Sequence, residues 1–305
     1  MNRWKKLKSD MKRSRQLYLM ILPVMLFFII FRYGPMYGSL IAFMDFKPAS
    51  GFFGSDWVGM KHFIRFFKDP YFFRLVRNTL LISVYNIIFS MPCAIILALL
   101  INEIRNLKFK KLVQTVSYLP HFVSLVVICG MLKEFLASDG ILTQLMSLFG
   151  VPQKNLLMDP SYYRVIHVGS GIWQTVGWNS IIYLSALAGI DQEQYEAAEL
   201  DGAGRFAKMR FITLPGLLPT ITIMFIMKLG QVMSVGYEKI LLLSNTANLE
   251  TADVLSSYVY RMGIGSSYPQ YSYSTAVGLF SSVINLILVV AGNKICKKLN
   301  GSGLW

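Results

Sequence analysis

Three long stretches of the chain contain no Asp, Glu, Lys or Arg, and they constrain the fold more than any other feature. They are Leu80–Ile101, Leu112–Leu132 and Val165–Ile190. A helix of about 20 apolar residues is long enough to cross the hydrocarbon core of a bilayer. Charged residues make up only 15% of the chain, whereas a soluble domain carries about a quarter. The sequence therefore predicts an all-α integral membrane protein.

Three further apolar runs complete the set of predicted spans. Met262–Asn293 is uncharged, and Gln16–Met44 and Phe211–Tyr237 are each interrupted by a single basic residue. The basic segment 1–15 precedes an apolar run without a small-x-small cleavage site, so we expect a retained first helix. We predict one transmembrane domain over residues 1–305, with spans at about 16–44, 80–101, 112–132, 165–190, 215–241 and 273–293.

The distribution of Lys and Arg predicts the orientation of these spans. Seventeen of the 30 basic residues fall in the N-terminal segment, in Asn102–Lys111, in Arg205–Arg210 and in Lys294–Lys298. These segments alternate with the others along the chain, and cytoplasmic loops are enriched in Lys and Arg. We therefore expect both termini and the polar segment 191–214 to be cytoplasmic, in a multi-pass protein of the bacterial cell membrane.

The net charge of +14 and the scattered Cys and His residues do not predict other chemistry. The basic residues lie between apolar runs, where span ends require them, so we expect no nucleic-acid binding. The three cysteines and three histidines show no metal-ligand spacing, so no bound metal is expected. No G-x-x-x-x-G-K-[ST] phosphate loop occurs, and no nucleophile elbow or HExxH motif is present. We expect a non-catalytic chain that binds no cofactor of its own.

The polar stretch EAAELDGAGRFAKMRFITLP, between two apolar runs, carries the most specific pattern in the sequence. Gln192–Leu200 predicts a short helix with two adjacent alanines, which leave room for another backbone to approach. Asp201-Gly202 predicts its end, because glycine accepts the left-handed backbone angles found there. A second short helix follows, and Pro215 is expected at the start of the next span.

This stretch resembles the EAA loop of permease subunits of binding-protein-dependent ABC importers. The pattern is Glu-Ala-Ala, three residues, Gly, nine residues and Ile-x-Leu-Pro, and it matches here without a departure in spacing. The resemblance implies the type I importer permease fold and a coupling helix that docks on a separate ATPase subunit. The implied docking residues, with expected edge contacts at the last three, are Glu196, Ala197, Ala198, Gly202, Asp201, Ala203 and Arg205.

Other segments, among them QTVSYLPHF and IWQTVGWNSIIYLSALAGIDQEQYEAAELDGA, resemble the carbohydrate-import branch of that family, near the permeases for polysaccharide fragments. The resemblance implies a sugar, in particular an oligosaccharide, as the solute. It also implies a homologous second permease, two copies of an ABC ATPase that bind ATP and Mg, and an extracytoplasmic solute-binding protein. An importer of peptides or metal chelates with the same architecture stays open, as does, with less support, an ion-coupled secondary transporter.

Polar residues within the apolar runs are candidates for the substrate pathway. If residues 215–241 form one helix, then Lys228, Gln231, Val235, Glu238 and Lys239 share one face. This face is expected either to line a passage or to hold Lys228 and Glu238 at the membrane interfaces. In the fourth span an amide and an indole are suited to sugar hydroxyls and rings, although Trp is also an ordinary interfacial anchor. The candidates are Tyr85, Asn86, Gln174, Trp178, Asn179, Gln231 and Glu238.

Overall fold

The computed structural model describes residues 13–150 and 152–305, and these form a bundle of helices. Residues 1–12 of the predicted basic segment 1–15 lie outside the described residues. A short antiparallel hairpin, β1 (Met44–Asp45) with β2 (Asp56–Trp57), pairs Met44 with Trp57. The helices are α1 (Arg15–Phe43), α2 (Lys61–Phe67), α3 (Phe72–Glu103), α4 (Leu107–Phe122), α5 (Leu125–Phe135), α6 (Ile141–Ser147), α7 (Pro160–Ala188), α8 (Gln192–Leu200), α9 (Arg205–Leu229), α10 (Tyr237–Leu243), α11 (Leu249–Ala252), α12 (Leu255–Gly263) and α13 (Tyr271–Asn300).

Within the described residues, four helices are long and apolar enough to cross a membrane: α1, α3, α9 and α13. The bent pair of α4 and α5 makes a fifth if it is one span. Helix α7 has 29 residues, which is ample length for a span, but its central part is rich in polar and small residues. Each of the six predicted runs therefore overlaps at least one helix. The count of six spans is consistent with the structure, although length and hydropathy alone do not fix it.

The third predicted span, 112–132, is wrong as a single helix. Helices α4 and α5 meet at an angle of 94°, because Val123 and Ser124 adopt extended backbone angles. Pro120 has no N–H to continue the helical bonding, and the end of α4 tightens into a 3₁₀ turn. The Ser124 hydroxyl then accepts a hydrogen bond from the Val127 N–H and starts α5. Apolar composition alone does not reveal this change of direction.

The fifth predicted span, 215–241, is also wrong in its bounds. Helix α9 already begins at Arg205, so Pro215 lies inside a continuous helix instead of at its start. A π turn at Met209–Thr213 precedes this proline, and such a turn accommodates a missing backbone donor. At its other end α9 stops at Leu229, and residues 231–236 are not helical. The chain resumes as α10 at Tyr237.

Helix α7 lies at the centre of the bundle and packs against α3, α4 and α9. Its closest approach is at Gly177, where an added Cβ would lie 2.0 Å from the Ser117 carbonyl oxygen of α4. Small residues allow membrane helices to approach in this way. By contrast, α1 buries no side chain before Ala42, and its apolar surface suits contact with lipid.

Candidate functional site

The segment of α8 and the following turn is built by local hydrogen bonds. The Asp191 carboxylate accepts from the Glu193 N–H at 3.0 Å and caps the start of α8. At the other end the Ala203 N–H donates to the Ala198 oxygen at 2.8 Å, and the Gly202 N–H donates to the Glu199 oxygen at 3.0 Å. These two bonds form a Schellman motif, which requires a left-handed residue after the helix.

Gly202 supplies that left-handed residue, with φ of +75°. A side chain with a Cβ would be strained here by its backbone angles and not by crowding, since an added Cβ meets no atom within 4 Å. The predicted helix Gln192–Leu200 and its predicted end at Asp201-Gly202 are confirmed as local structure. The docking role of these residues stays a prediction.

Two side-chain contacts fix α8 against the start of α9. The hydroxyls of Tyr195 and Thr213 lie 3.1 Å apart. The Lys208 Nζ donates to the Glu199 carboxylate at 2.5 Å, and this hydrogen bond lowers the pKa of Glu199 below its ordinary value. The segment is thus a defined unit and not a loose connector.

The outer surface of this unit exposes two large apolar side chains that sequence reasoning did not select. Leu200 is 91% exposed and Phe206 is 84% exposed. Of the seven predicted docking residues, Ala198 and Ala203 are half-buried. The other five are exposed: Glu196, Ala197, Asp201, Gly202 and Arg205. Buried contacts with large apolar anchors dominate many protein interfaces, so this surface, from Glu196 to Phe206, has the composition of a docking surface.

A second candidate site surrounds the non-helical turn 231–236 between α9 and α10. Irregular backbone at membrane depth is tolerated where it is buried in protein or lines a water-filled cavity. The Ser83 hydroxyl donates to the Val232 oxygen at 2.6 Å, and the Met233 N–H donates to the Asn285 side-chain oxygen at 2.9 Å. The Ser256 hydroxyl donates to the Val235 oxygen. Side chains from three other helices therefore replace the helical bonds that the turn gives up.

The depth of the turn follows from the position of Asn285. This residue lies 14 positions from the start and 15 from the end of α13, a helix of 30 residues. The turn it binds is therefore near the middle of the bundle. A cavity of about 180 Å³ opens here, bounded by α3, α7 and the end of α9; it is lined by Ile82, Ser83, Asn86, Ile87, His167, Lys228, Gln231, Val232, Ser234, Val235 and Gly236.

A wider cavity of about 860 Å³ lies on the other side of the same turn, between α1, α12 and α13. Ser234, Val235 and Gly236 line both cavities. Most of the polar lining of the wider cavity consists of hydroxyl groups and glycine backbone. Together the two cavities place hydroxyl, amide and backbone groups among apolar side chains around the helix break, and Lys228 is the one Lys, Arg, Asp or Glu side chain on their described linings.

The predicted single face of five residues does not exist, because α9 ends at Leu229. Gln231 and Val235 still reach the narrower cavity, through the turn and not through helical periodicity. Lys239 is buried, and its Nζ donates to the His167 oxygen at 2.8 Å. Glu238 is exposed on the first turn of α10 and lines neither cavity.

The remaining pathway candidates lie apart from this turn, except Asn86, which lines the narrower cavity. Trp178 stacks on His121 of α4, with ring centroids 4.5 Å apart. The Gln174 Nε2 donates to the Val123 oxygen at 3.5 Å, at the bend between α4 and α5. Asn179 is half-buried and Tyr85 is exposed. Among the seven candidates, the structure brings together only Asn86 and Gln231 at the helix break.

Comparison with known proteins places this architecture in one class, the membrane subunits of binding-protein-dependent transport systems. The chain belongs to the family of binding-protein-dependent transport system inner membrane components, whose model matches residues 72–299. The matched region contains both the exposed surface from Glu196 to Phe206 and the helix break.

Two curated relatives from Bacillus subtilis (strain 168) align over nearly the whole chain. "Protein LplB" is 46% identical over 299 residues, covering 97% of this chain and 93% of that protein. The "Polygalacturonan/rhamnogalacturonan transport system permease protein YteP" is 42% identical over 302 residues, covering 99% and 94%.

Solved structures agree with these relatives. A bacterial ABC transporter involved in the import of the acidic polysaccharide alginate aligns with a TM-score of 0.86 at 38% identity, covering 96% of this chain and 99% of that one. A bacterial alginate ABC transporter in complex with an alginate pentasaccharide-bound periplasmic protein aligns with a TM-score of 0.87 at 37% identity, covering 98% and 100%.

Proposed function

We propose that this chain forms, with a second permease subunit, the translocation pathway of an ATP-driven importer for an oligosaccharide. The observation that carries this proposal is the similarity to permeases for polysaccharide fragments, which extends over 99% of the chain and includes the helices that line both cavities. The hydroxyl and amide groups around the helix break are suited to the hydroxyls of a sugar.

The importer requires partners that this chain does not supply. An extracytoplasmic solute-binding protein delivers the sugar, as in the alginate transporter that was solved with its sugar-bound periplasmic protein. Two copies of an ABC ATPase bind ATP and Mg on the cytoplasmic side. In this arrangement both termini and α8 face the cytoplasm, and this chain carries no catalytic residue.

The docking surface from Glu196 to Phe206 is the proposed contact with the ATPase. Its two exposed apolar side chains, Leu200 and Phe206, would be buried by a partner with an apolar groove. The small side chains of Ala197 and Ala198 allow that groove to approach the backbone of α8. Because side-chain contacts fix α8 against α9, a movement of the ATPase would be transmitted to the membrane helices. It would not be absorbed by a flexible loop.

A matched pair of glycine variants tests this contact. Gly202→Leu places a bulky side chain at a position where an added Cβ meets no atom of the described residues within 4 Å. We therefore expect it to obstruct a partner that docks on this turn. Gly301→Leu is the control, because Gly301 has a similar φ of +70°, an equally open surrounding and a position after the last residue of α13. Each variant carries the same backbone strain, about 1–2 kcal/mol.

We expect Gly202→Leu to abolish uptake of labelled oligosaccharide in cells while the protein remains in the membrane at its normal level. Gly301→Leu should retain uptake close to that of the wild type. Normal uptake in Gly202→Leu, or an equal loss in both variants, would show that the turn has no docking role. ATP hydrolysis by the purified chain alone would contradict the proposed division of subunits.

A further inference from the structure

Lys228 is an ionisable residue near the middle of the bundle, and no acidic residue in the described part of the chain pairs with it. It is the penultimate residue of α9, adjoins the helix break and lines the narrower cavity. Its side chain is half-buried. Among the described residues it forms no ion pair and its Nζ makes no hydrogen bond. A charge at membrane depth is expensive and marks a functional site by default.

The neighbouring buried lysine shows what a structural role looks like in this fold. Lys239 is 8% exposed, and its ammonium is satisfied by the backbone oxygen of His167. Lys228 has no such acceptor and instead borders open space. The fold thus assigns one lysine to packing between helices and leaves the other available to a ligand.

The lining of the narrower cavity contains no carboxylate. Its other polar members are hydroxyl, amide and imidazole groups: Ser83, Asn86, His167, Gln231 and Ser234. The acidic residue closest in sequence, Glu238, is exposed on α10 and lies outside the lining. The charge on the described lining is therefore positive, and a counter-ion must come from whatever enters the cavity.

We propose that Lys228 selects an anionic oligosaccharide by pairing with a carboxylate of a uronic acid unit as the sugar passes the helix break. A charged hydrogen bond in a partly desolvated cavity is stronger than a neutral one. Acidic sugar units therefore bind more tightly here than neutral units of the same shape. Asn86, Gln231 and the serine hydroxyls contact the sugar hydroxyls, which acidic and neutral sugars share. The inference rests on the proposed import of an oligosaccharide and adds the charge of that oligosaccharide.

The test is uptake by cells that carry the complete transporter, with trigalacturonate and its carboxyl-reduced form, a neutral trisaccharide, as probes. Lys228→Met removes the charge at similar length, Lys228→Arg retains it, and Lys133→Met is the control, because Lys133 is exposed at the end of α5. Loss of one charged hydrogen bond raises the half-saturating concentration by about tenfold or more. We expect that rise for trigalacturonate in Lys228→Met only, at unchanged membrane abundance.

Each other outcome has a defined meaning. Normal uptake of trigalacturonate by Lys228→Met overturns the inference. An equal fall for both probes also overturns it, since this would assign Lys228 an internal partner, such as a carboxylate of the second permease. If the wild-type transporter imports only the neutral probe, sugar import stands and the inference is wrong. If it imports neither probe, the inference that the pathway selects uronic acid units is wrong, whereas the proposed import of an oligosaccharide is tested separately by the Gly202→Leu and Gly301→Leu pair.

Discussion

Replacement of Gly177 by alanine tests the packing of α7 on α4 most directly. An added Cβ would lie 2.0 Å from the Ser117 oxygen and 2.4 Å from the Ser117 carbonyl carbon. Both atoms belong to the backbone of α4, so no side chain can rotate away. To restore an ordinary contact of 3.4 Å to the oxygen, the two helices must separate by about 1.4 Å at this point.

The expected cost follows from two opposing effects. Forcing an extra methyl into a packed interface costs about 1–3 kcal/mol, and more where backbone is in the way. Alanine recovers up to about 1 kcal/mol through its better helix propensity. The difference is about 0–2 kcal/mol, and because the obstructing atoms belong to the backbone we expect Gly177→Ala to lower the free energy of unfolding by about 2 kcal/mol.

Gly169 on the same helix provides the matched control, because an added Cβ there meets no atom within 4 Å. Gly169→Ala gains the helix propensity without the clash, and its stability should equal or exceed that of the wild type. Thermal unfolding of the purified protein in one detergent compares the three proteins. If Gly177→Ala melts at the wild-type temperature, the contact between α4 and α7 is not as close as described.

Two further predictions concern charged groups outside the spans. Asp253 is fully buried and accepts two hydrogen bonds from Arg261 at 2.8 and 2.7 Å. Asp253→Ala removes both acceptors from the half-buried Arg261 side chain and should cost about 1.5–3 kcal/mol in the same melting assay; a loss below about 1 kcal/mol would contradict this. Burial raises the pKa of Asp69, but hydrogen bonds including those from the Tyr258 and Tyr273 hydroxyls outweigh it and hold the pKa below the ordinary 3.8. This stabilisation is present above pH 3.8 and is lost as the pH falls through the lower pKa of the folded state. The difference in stability between the wild type and Asp69→Asn should therefore become smaller below about pH 4. A difference that becomes larger on acidification would contradict this.

The sequence predicted those features that depend on composition and on local backbone preferences. Apolar runs located the helices, because a bilayer demands length and low charge whatever the tertiary packing. Helix α8 and its end at Gly202 were predictable for a different reason. Glycine at a helix end and a carboxylate at its start act within a few residues.

The two helix breaks were not predicted, because hydropathy reports how apolar a segment is and not where its backbone turns. The break after Phe122 follows Pro120, which has no N–H to continue the helical bonding, and Ser124, whose hydroxyl starts α5. The break after Leu229 is held by Ser83 and Asn285, which are far away in sequence. Gly230 and Gly236 were the local signals, and glycine is too common in membrane helices to be decisive.

Because the sequence did not reveal the break after Leu229, it grouped pathway candidates that the structure separates. Reading residues 215–241 as one helix grouped Glu238 and Lys239 with Gln231. In the structure the turn sends Lys239 towards His167 and Glu238 to the surface. The cavity instead draws its lining from α3, α7 and α9, and an assembly from three helices requires the tertiary fold.

The proposed docking surface and the narrower cavity are linked by one element, α9. This helix begins at Arg205, directly after the turn at Gly202, and ends beside Lys228, 25 residues along a continuous helix. At a rise of about 1.5 Å per residue it spans about 37 Å. A helix transmits a displacement along its axis because its hydrogen bonds resist a change in length. The turn 231–236 is not helical, so the rigid part of the chain ends before α10. A push on α8, which is fixed to α9 through Tyr195 and Lys208, would therefore be delivered to the wall of the cavity, at the side chains proposed to contact the solute.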